Sequence, residues 1–262
     1  MSKFKTTTVT GMGELIGSLR RLAPDFGKSE YWFRGHTKDT DWPLLPSVHR
    51  LGNKVAERQL ALRFQVGAVG RTAHCPGENE FGSWLVLMQH YGLPSRLLDW
   101  SRSLVVAAYF AVSHEPADSA AAIWLLAPER LNRRARIELQ GVGLLNGGNQ
   151  SPVIGPIAEA AFREVKCEAS PYAALSQDLD MRVLVQSGAF TIHDQPEPLE
   201  EHPFANEFLA RFEIPGNARR TFQDELWAMG ARRSLLFPDL HHLAIELAES
   251  AGQTFKISER QV

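Results

Sequence analysis

Hydrophobic residues near the start of the chain recur every three or four positions, which is the spacing of one helical face. This spacing predicts an amphipathic helix over about residues 10–24, which Pro24 and Gly27 would end. Residues 55–72 and 80–92 show a similar pattern and predict two more helices, the second of which stops at Gly92. The positions expected to be buried are Leu15, Ile16, Leu19 and Leu22 in the first helix, and Trp84, Leu85, Leu87, Met88 and Tyr91 in the third.

Apolar runs without helical spacing follow in the middle of the chain. Residues 102–114 are nearly all apolar and predict a helix that is packed on both sides. Short runs rich in aromatic and β-branched residues predict strands at 29–35, 121–128, 188–194 and 206–215. Residues 93–101 are mixed in character, and residues 141–156, rich in Gly, Asn and Pro, predict a loop that is mobile or covers a site.

The order of these elements predicts an α+β fold with a small strand core surrounded by helices. Two helices at the C-terminal end complete it, one over 218–230 and one over about 238–251. We therefore expect a single domain over residues 1–262, with its core at about 28–240.

Composition narrows the functional classes. The formal net charge of −2 argues against an overall surface for polyanions, and two distant cysteines argue against a disulfide framework. The N-terminal residues lack the apolar segment of a signal peptide, and the longest apolar run, Leu104 to Val112, is too short to cross a bilayer. We expect a cytoplasmic protein with no membrane contact and no metal.

Polar residues suited to binding or catalysis lie in three places. Arg34 and Gly35 sit in a strand-like run, where Arg34 could bind a phosphate or carboxylate, or pair with an acid such as Asp99. Seven polar residues precede the apolar helix, as in the rim of a pocket: Gln89, His90, Ser95, Arg96, Asp99, Ser101 and Arg102. Pairing of Arg96 with Asp99 and capping by Ser101 would explain about half of them. Arg182 and Gln186 share a helical face before the strand at 188–194.

Several motifs together resemble the FRG domain, a family found mainly in bacteria and phages. Phe33-Arg34-Gly35 corresponds to the residues that name the family, and the resemblance extends over roughly residues 10–250. It includes the segments 89–101 and 108–111, the positions Trp42, Leu44, Pro46, Ser47, Arg182, Gln186, Gly188 and Phe190, and the segment 235–240.

The same residues are similar, more faintly, to mono-ADP-ribosyltransferases that begin their core with an aromatic-Arg-Gly strand. The resemblance implies that Arg34 holds the phosphates or ribose of NAD, with Ser101 and Ser103 as the serine strand and Ala108 and Phe110 as packing positions. The chain departs from the pattern at residues 186–189, where a glutamate would polarise the ribose 2′-hydroxyl. The candidates to replace it are Glu207, Glu213 and Glu225, of which Glu225 lies in a predicted helix.

The leading hypothesis is an ADP-ribosyltransferase-like fold that binds NAD as substrate and transfers or cleaves off ADP-ribose. The resemblance implies a toxin or phage-defence effector, a protein or nucleic-acid acceptor, and an antitoxin or effector-system partner. The predicted catalytic residues are Arg34, His90, Ser101 and Gln186, and the predicted NAD-binding residues are Arg34, Gly35, His36, Gln89, Tyr91, Arg96, Trp100 and Ser101.

Two alternatives remain open from the sequence. The first is a non-catalytic module that binds a nucleotide or a nucleic-acid end through Arg34 and Arg96, which the missing glutamate favours. The second is a metal-independent hydrolase in which Asp99 orients His90 as the base.

Overall fold

The computed structural model describes residues 4–26, 30–37, 42–51, 54–72, 75–113, 119–135, 141–145, 152–165, 167–176 and 181–252. Within these residues, eight strands form one mixed sheet in the order β1-β8-β4-β2-β3-β7-β6-β5. The strands are β1 (Lys5–Thr8), β2 (Trp32–His36), β3 (Leu97–Ser101), β4 (Ala121–Leu126), β5 (Gly143–Leu144), β6 (Tyr172–Leu175), β7 (Gly188–Ile192) and β8 (Leu209–Ile214). The pairs β1–β8 and β5–β6 are parallel, and the other pairs are antiparallel.

Twelve α-helices surround the sheet in the described part of the chain. They are α1 (Met12–Phe26), α2 (Ser47–Arg50), α3 (Lys54–Ala68), α4 (Phe81–His90), α5 (Leu104–Val112), α6 (Pro128–Ala135), α7 (Ile154–Glu159), α8 (Met181–Val185), α9 (Ala205–Phe208), α10 (Arg219–Ala228), α11 (Arg233–Leu236) and α12 (Leu240–Ser250). No helix among the described residues combines the length and apolar character needed to span a bilayer. The mixed α and β architecture is confirmed, whereas the ADP-ribosyltransferase-like core stays a prediction.

Several predicted boundaries and burial positions are wrong. Helix α1 runs through Pro24 to Phe26, because Phe26 is buried in the main core and anchors the last turn; Gly27 lies outside the described residues. Ile16 is exposed, since the buried face of α1 follows Met12, Leu15 and Leu22 instead.

The segment that was mixed in character, residues 93–101, contains β3, which is one of the two central strands of the sheet. The predicted loop at 141–156 contains β5 and the start of α7, and its residues 146–151 lie outside the described part.

Helix α5 explains how the sheet is covered near its centre. Five of its residues, Val106, Ala107, Ala108, Ala111 and Val112, are buried, and Ser103 caps the helix by accepting a hydrogen bond from the backbone N–H of Val106. The cap predicted at Ser101 is therefore two residues too early. Small alanines on the buried face allow α5 to approach β2 closely.

The centre of the sheet is divided between β2 and β3. Strand β2 pairs with β4 over all five of its residues, and β3 pairs with β7 over all five of its own. Between β2 and β3, however, only Phe33 and Ser101 are paired. The two strands therefore separate beyond this pair, and the sheet leaves a gap where other elements can line a cavity.

Candidate functional site

A pocket of about 540 Å³ occupies the gap between β2 and β3. Its walls come from both strands, from the C-terminal end of α4, from α5, from α8 and from the start of β7. Eight predicted site residues line it: Arg34, Gly35, His36, Gln89, His90, Trp100, Ser101 and Gln186. The fold therefore brings together motifs that are up to 150 residues apart in the chain.

Arg34 crosses the gap from β2 towards β3. Its Nε donates a hydrogen bond to His36 Nε2 at 3.2 Å, and its Nη1 donates to the backbone oxygen of Asp99 at 2.6 Å. The nearest carboxylate oxygen, Asp99 Oδ2, is 3.9 Å from Nη1, beyond hydrogen-bonding distance. Burial lowers the pKa of Arg34 from its ordinary value and Asp99 opposes this shift, yet an arginine stays protonated. Arg34 is thus a partly exposed cation that forms a long ion pair with Asp99 and no hydrogen bond with its carboxylate.

His36 acts as a neutral acceptor beside this cation. Burial, followed by the positive charges of Arg34, Arg211 and Arg50, lowers the pKa of His36 from 6.5 to about 3. Because the ring is neutral and its Nε2 accepts from Arg34, the proton lies on Nδ1. This buried Nδ1 has no hydrogen-bond partner among the described residues. His36 therefore fixes the orientation of the Arg34 side chain rather than supplying a proton.

Ser101 and Gln186 hold the floor of the pocket together. The hydroxyl of Ser101 donates to the backbone oxygen of Gln186 at 2.7 Å and accepts from the N–H of Ser103 at 3.0 Å. The amide of Gln186 donates to the backbone oxygen of Leu236 at 2.9 Å. Both side chains line the pocket while joining β3, α8 and α11, so their visible role is structural.

Asp99 carries a half-exposed carboxylate into the same pocket. Its Oδ2 accepts a hydrogen bond of 2.6 Å from the amide of Gln89, and the other end of that amide accepts from the hydroxyl of Ser95 at 2.8 Å. Among the described residues that line the pocket, Asp99 is the one that bears a carboxylate.

Two predicted binding residues lie away from the pocket. The side chain of Arg96 is buried and forms ion pairs with Glu57 at 2.6 Å and Asp194 at 3.2 Å, so it neither reaches a ligand nor pairs with Asp99. Tyr91 is 64% exposed at the turn that follows α4, where its ring contacts His90 edge-on. Neither residue lines the pocket.

Gly35 and Trp100 lie at the pocket but differ from expectation. A Cβ atom on Gly35 would lie 2.1 Å from the backbone oxygen of Ala107 in α5, so this glycine serves the approach of a helix rather than of a ligand. Trp100 is buried, and its Nε1 donates to Thr191 at 3.1 Å. Its ring therefore forms part of the wall and is not an open stacking surface.

The proposed replacements for the missing glutamate do not line the pocket. Glu207 pairs with Arg134, Glu213 lies 3.2 Å from Arg211, and Glu225 accepts from the N–H of Met12 at 2.6 Å. These contacts stabilise other parts of the fold. Asp99 was considered from the sequence as a partner of Arg34 or Arg96 and as the residue that orients His90, but it was not among the predicted NAD-binding residues.

Trp42 and Arg182 complete the pocket, although neither was among the predicted site residues. Half of Trp42 is exposed, and the guanidinium carbon of Arg50 lies 5.0 Å from the centre of its ring. Arg182 in α8 is exposed and lies 5.0 Å from the ring centre of Phe237. The spacing of Arg182 and Gln186 had indicated a shared helical face, which is the signal that could have placed Arg182 here.

Comparison with known proteins identifies one family. Residues 29–120 match the family model of the FRG domain. This segment includes β2, α4, β3 and α5, and therefore most walls of the pocket, whereas Arg182 and Gln186 lie outside it. No curated protein matches the chain, and no solved structure matches it either. The match supports the FRG family and leaves the activity to be argued from the pocket.

Proposed function

We propose that the pocket between β2 and β3 binds NAD, and that the protein cleaves NAD to transfer or release ADP-ribose. The observation that carries this proposal is the Arg34 guanidinium, which faces the pocket without a carboxylate at hydrogen-bonding distance among the described residues. A desolvated cation of this kind favours an anionic ligand, because the ligand restores the interactions that water would otherwise supply.

The remaining walls suit a dinucleotide. Arg182 provides a second guanidinium in the pocket lining, from α8, and guanidinium groups bind phosphates well. Trp42 and Phe110 offer aromatic surface for a base or a nicotinamide ring. The volume of about 540 Å³ lies within the range of small-molecule sites, which is about 300–1,000 Å³.

A second candidate function is nucleotide binding without turnover. It is favoured by Gln186, Gly188 and Ala189, which line the pocket beside β3 and include no carboxylate. The version of this alternative that binds a nucleic-acid end is weaker, because it relied on Arg96 and that side chain is buried in an ion pair.

Arg34→Met tests the proposal against a matched control, Arg102→Met. Arg102 forms a surface ion pair with Glu30 at 3.6 Å and does not line the pocket. We expect wild type and Arg102→Met to be stabilised thermally by NAD and to release nicotinamide, measured by chromatography. Loss of a charged hydrogen bond in Arg34→Met should weaken NAD binding by about 100-fold, which corresponds to about 3 kcal/mol.

The proposal is wrong if millimolar NAD neither raises the melting temperature of wild type nor yields nicotinamide. Binding without nicotinamide release would favour the second candidate. If Arg34→Met unfolds the protein while Arg102→Met does not, Arg34 serves the fold instead.

A cellular role follows from the same proposal. If the protein is a toxin or phage-defence effector, expression of wild type in bacteria should arrest growth, whereas expression of Arg34→Met should not. Labelling of a protein or nucleic acid with radioactive NAD in the same cells would identify the acceptor.

A further inference from the structure

Asp99 is an unusual residue for its place in the fold. Strand β3 lies in the interior of the sheet between β2 and β7, and its other four residues are buried. The side chain of Asp99 is nevertheless 53% exposed. Aspartate is disfavoured in strands, and an acid on an interior strand reaches solvent only where the covering layer is open. Here the opening is the pocket itself.

The carboxylate of Asp99 is held in one orientation by a chain of hydrogen bonds. The N–H of Leu97 donates to Ser95 Oγ at 3.1 Å, and Ser95 Oγ donates to Gln89 Oε1 at 2.8 Å. Since the Gln89 oxygen is occupied by this donor, its NH₂ group points to Asp99 Oδ2. Asp99 Oδ1 accepts from no described residue, so this oxygen is available for a ligand.

We propose that Asp99 is the catalytic carboxylate of the pocket, where it contacts the nicotinamide ribose of NAD; this inference rests on the proposed function. Asp99 accepts a hydrogen bond from the ribose 2′-hydroxyl and faces the positive charge that develops on the sugar. Fixed charges aimed at developing charge are most effective where water is restricted. Asp99 in β3 thereby takes the role that the resemblance assigns to a glutamate at residues 186–189, beside the start of β7.

The reaction balances without a further reagent when water is the acceptor. The C1′–N bond breaks, and its electron pair stays on the nitrogen of the pyridinium, which leaves as neutral nicotinamide. A bond forms between C1′ and the oxygen of water, and the proton of that water passes to solvent. The products are nicotinamide, ADP-ribose and one proton, and Asp99 is ionised at the beginning and the end.

Asp99→Asn tests this role, because it removes the charge and keeps the shape and the acceptor for Gln89. Glu30→Gln is the matched control, since Glu30 is a half-exposed acid that pairs with Arg102 outside the pocket. Three quantities are measured for each variant: the melting temperature, the rate of nicotinamide release at saturating NAD, and the affinity for ADP. ADP carries the pyrophosphate but lacks the nicotinamide ribose, so it reports binding at Arg34 separately from the contact of Asp99.

We expect Asp99→Asn to fold, to release nicotinamide at least about 100-fold more slowly than wild type, and to bind ADP as tightly or slightly more tightly. The affinity for ADP should not fall, because the substitution removes a negative charge 3.9 Å from Arg34. Glu30→Gln should match wild type in all three measurements.

The other outcomes refute the inference in distinguishable ways. Nicotinamide release within about threefold of wild type would show that Asp99 is not catalytic while NAD cleavage stands. A loss of ADP binding in Asp99→Asn, or an equal loss of rate in Glu30→Gln, would show a general effect rather than a contact with the ribose. Binding of NAD by wild type without cleavage would overturn the catalytic role of Asp99 and also the cleavage step of the proposed function, in favour of nucleotide binding without turnover. Absence of NAD binding would overturn the proposed function entirely.

Discussion

Replacing Gly35 with alanine should destabilise the protein strongly, although the change adds one methyl group. The new Cβ would lie 2.1 Å from the backbone oxygen of Ala107 and 2.6 Å from the backbone nitrogen of Ala111, whereas ordinary contact begins at 3.4 Å. Helix α5 would have to move away from β2 by about 1.3 Å, because backbone atoms cannot rotate aside as a flexible side chain can. Such a shift opens the packing of the buried face of α5, and we expect a loss of about 3 kcal/mol in the free energy of unfolding, at the upper end of overpacking effects.

Gly17→Ala provides a control of opposite sign. Gly17 lies inside α1, and the nearest atom to a Cβ there is the end of the Arg21 side chain at 3.6 Å. Alanine has the higher helix propensity, so this variant should gain about 0.5–1 kcal/mol. Urea unfolding followed by circular dichroism measures both changes. A loss below about 1 kcal/mol in Gly35→Ala, together with a loss of NAD binding, would refute the packing argument and restore the interpretation of Gly35 as a site of ligand approach.

Two further predictions concern buried charge. Arg96→Met should lower the free energy of unfolding by about 3–5 kcal/mol, because two buried carboxylates lose their cation. In the same urea assay, Arg220→Met at an exposed ion pair should change this free energy by less than about 0.5 kcal/mol. Burial lowers the pKa of both His36 and His193 from 6.5 to about 3, so the unfolded chain binds more protons than the folded chain between these values. Stability is then fully present above pH 6.5 and falls as the pH drops, by up to about 2 kcal/mol per histidine between pH 7 and pH 5. The unfolding free energy of His36→Gln should depend less steeply on pH over this range, and an unchanged slope would contradict the assignment.

Much of the pocket's wall could be predicted from local sequence. Arg34, His90 and Ser101 were recognised because charged or polar residues next to apolar runs are unusual, and all three line the pocket. Helix α5 and strand β4 were predicted because nearly unbroken apolar runs are compatible only with burial.

Prediction from local sequence failed where the contacts of a side chain are made with residues far away in the chain. Arg96 and Asp99 are three residues apart and of opposite charge, which favoured a pair. In the fold, however, the side chain of Arg96 is buried away from the pocket, whereas the side chain of Asp99 is half-exposed at the pocket. Arg96 instead meets Glu57 and Asp194, which lie 39 and 98 residues away in sequence. The choice of partner was therefore set by the residues that the folded chain places next to each side chain, and sequence spacing carries no information about that.

The sequence by itself determined the principal helices, the buried strands and the set of polar residues from which a site could be built, since hydrophobic periodicity and turn residues act over a few positions. Only the tertiary structure decided how the strands are ordered, and that order separates β2 from β3 beyond a single residue pair. The tertiary structure also placed Asp99 at the pocket and Arg96 away from it, and it made Gly35 necessary for the close approach of α5 to β2. These outcomes depend on contacts between segments far apart in the chain, whose geometry exists only when the whole core is packed.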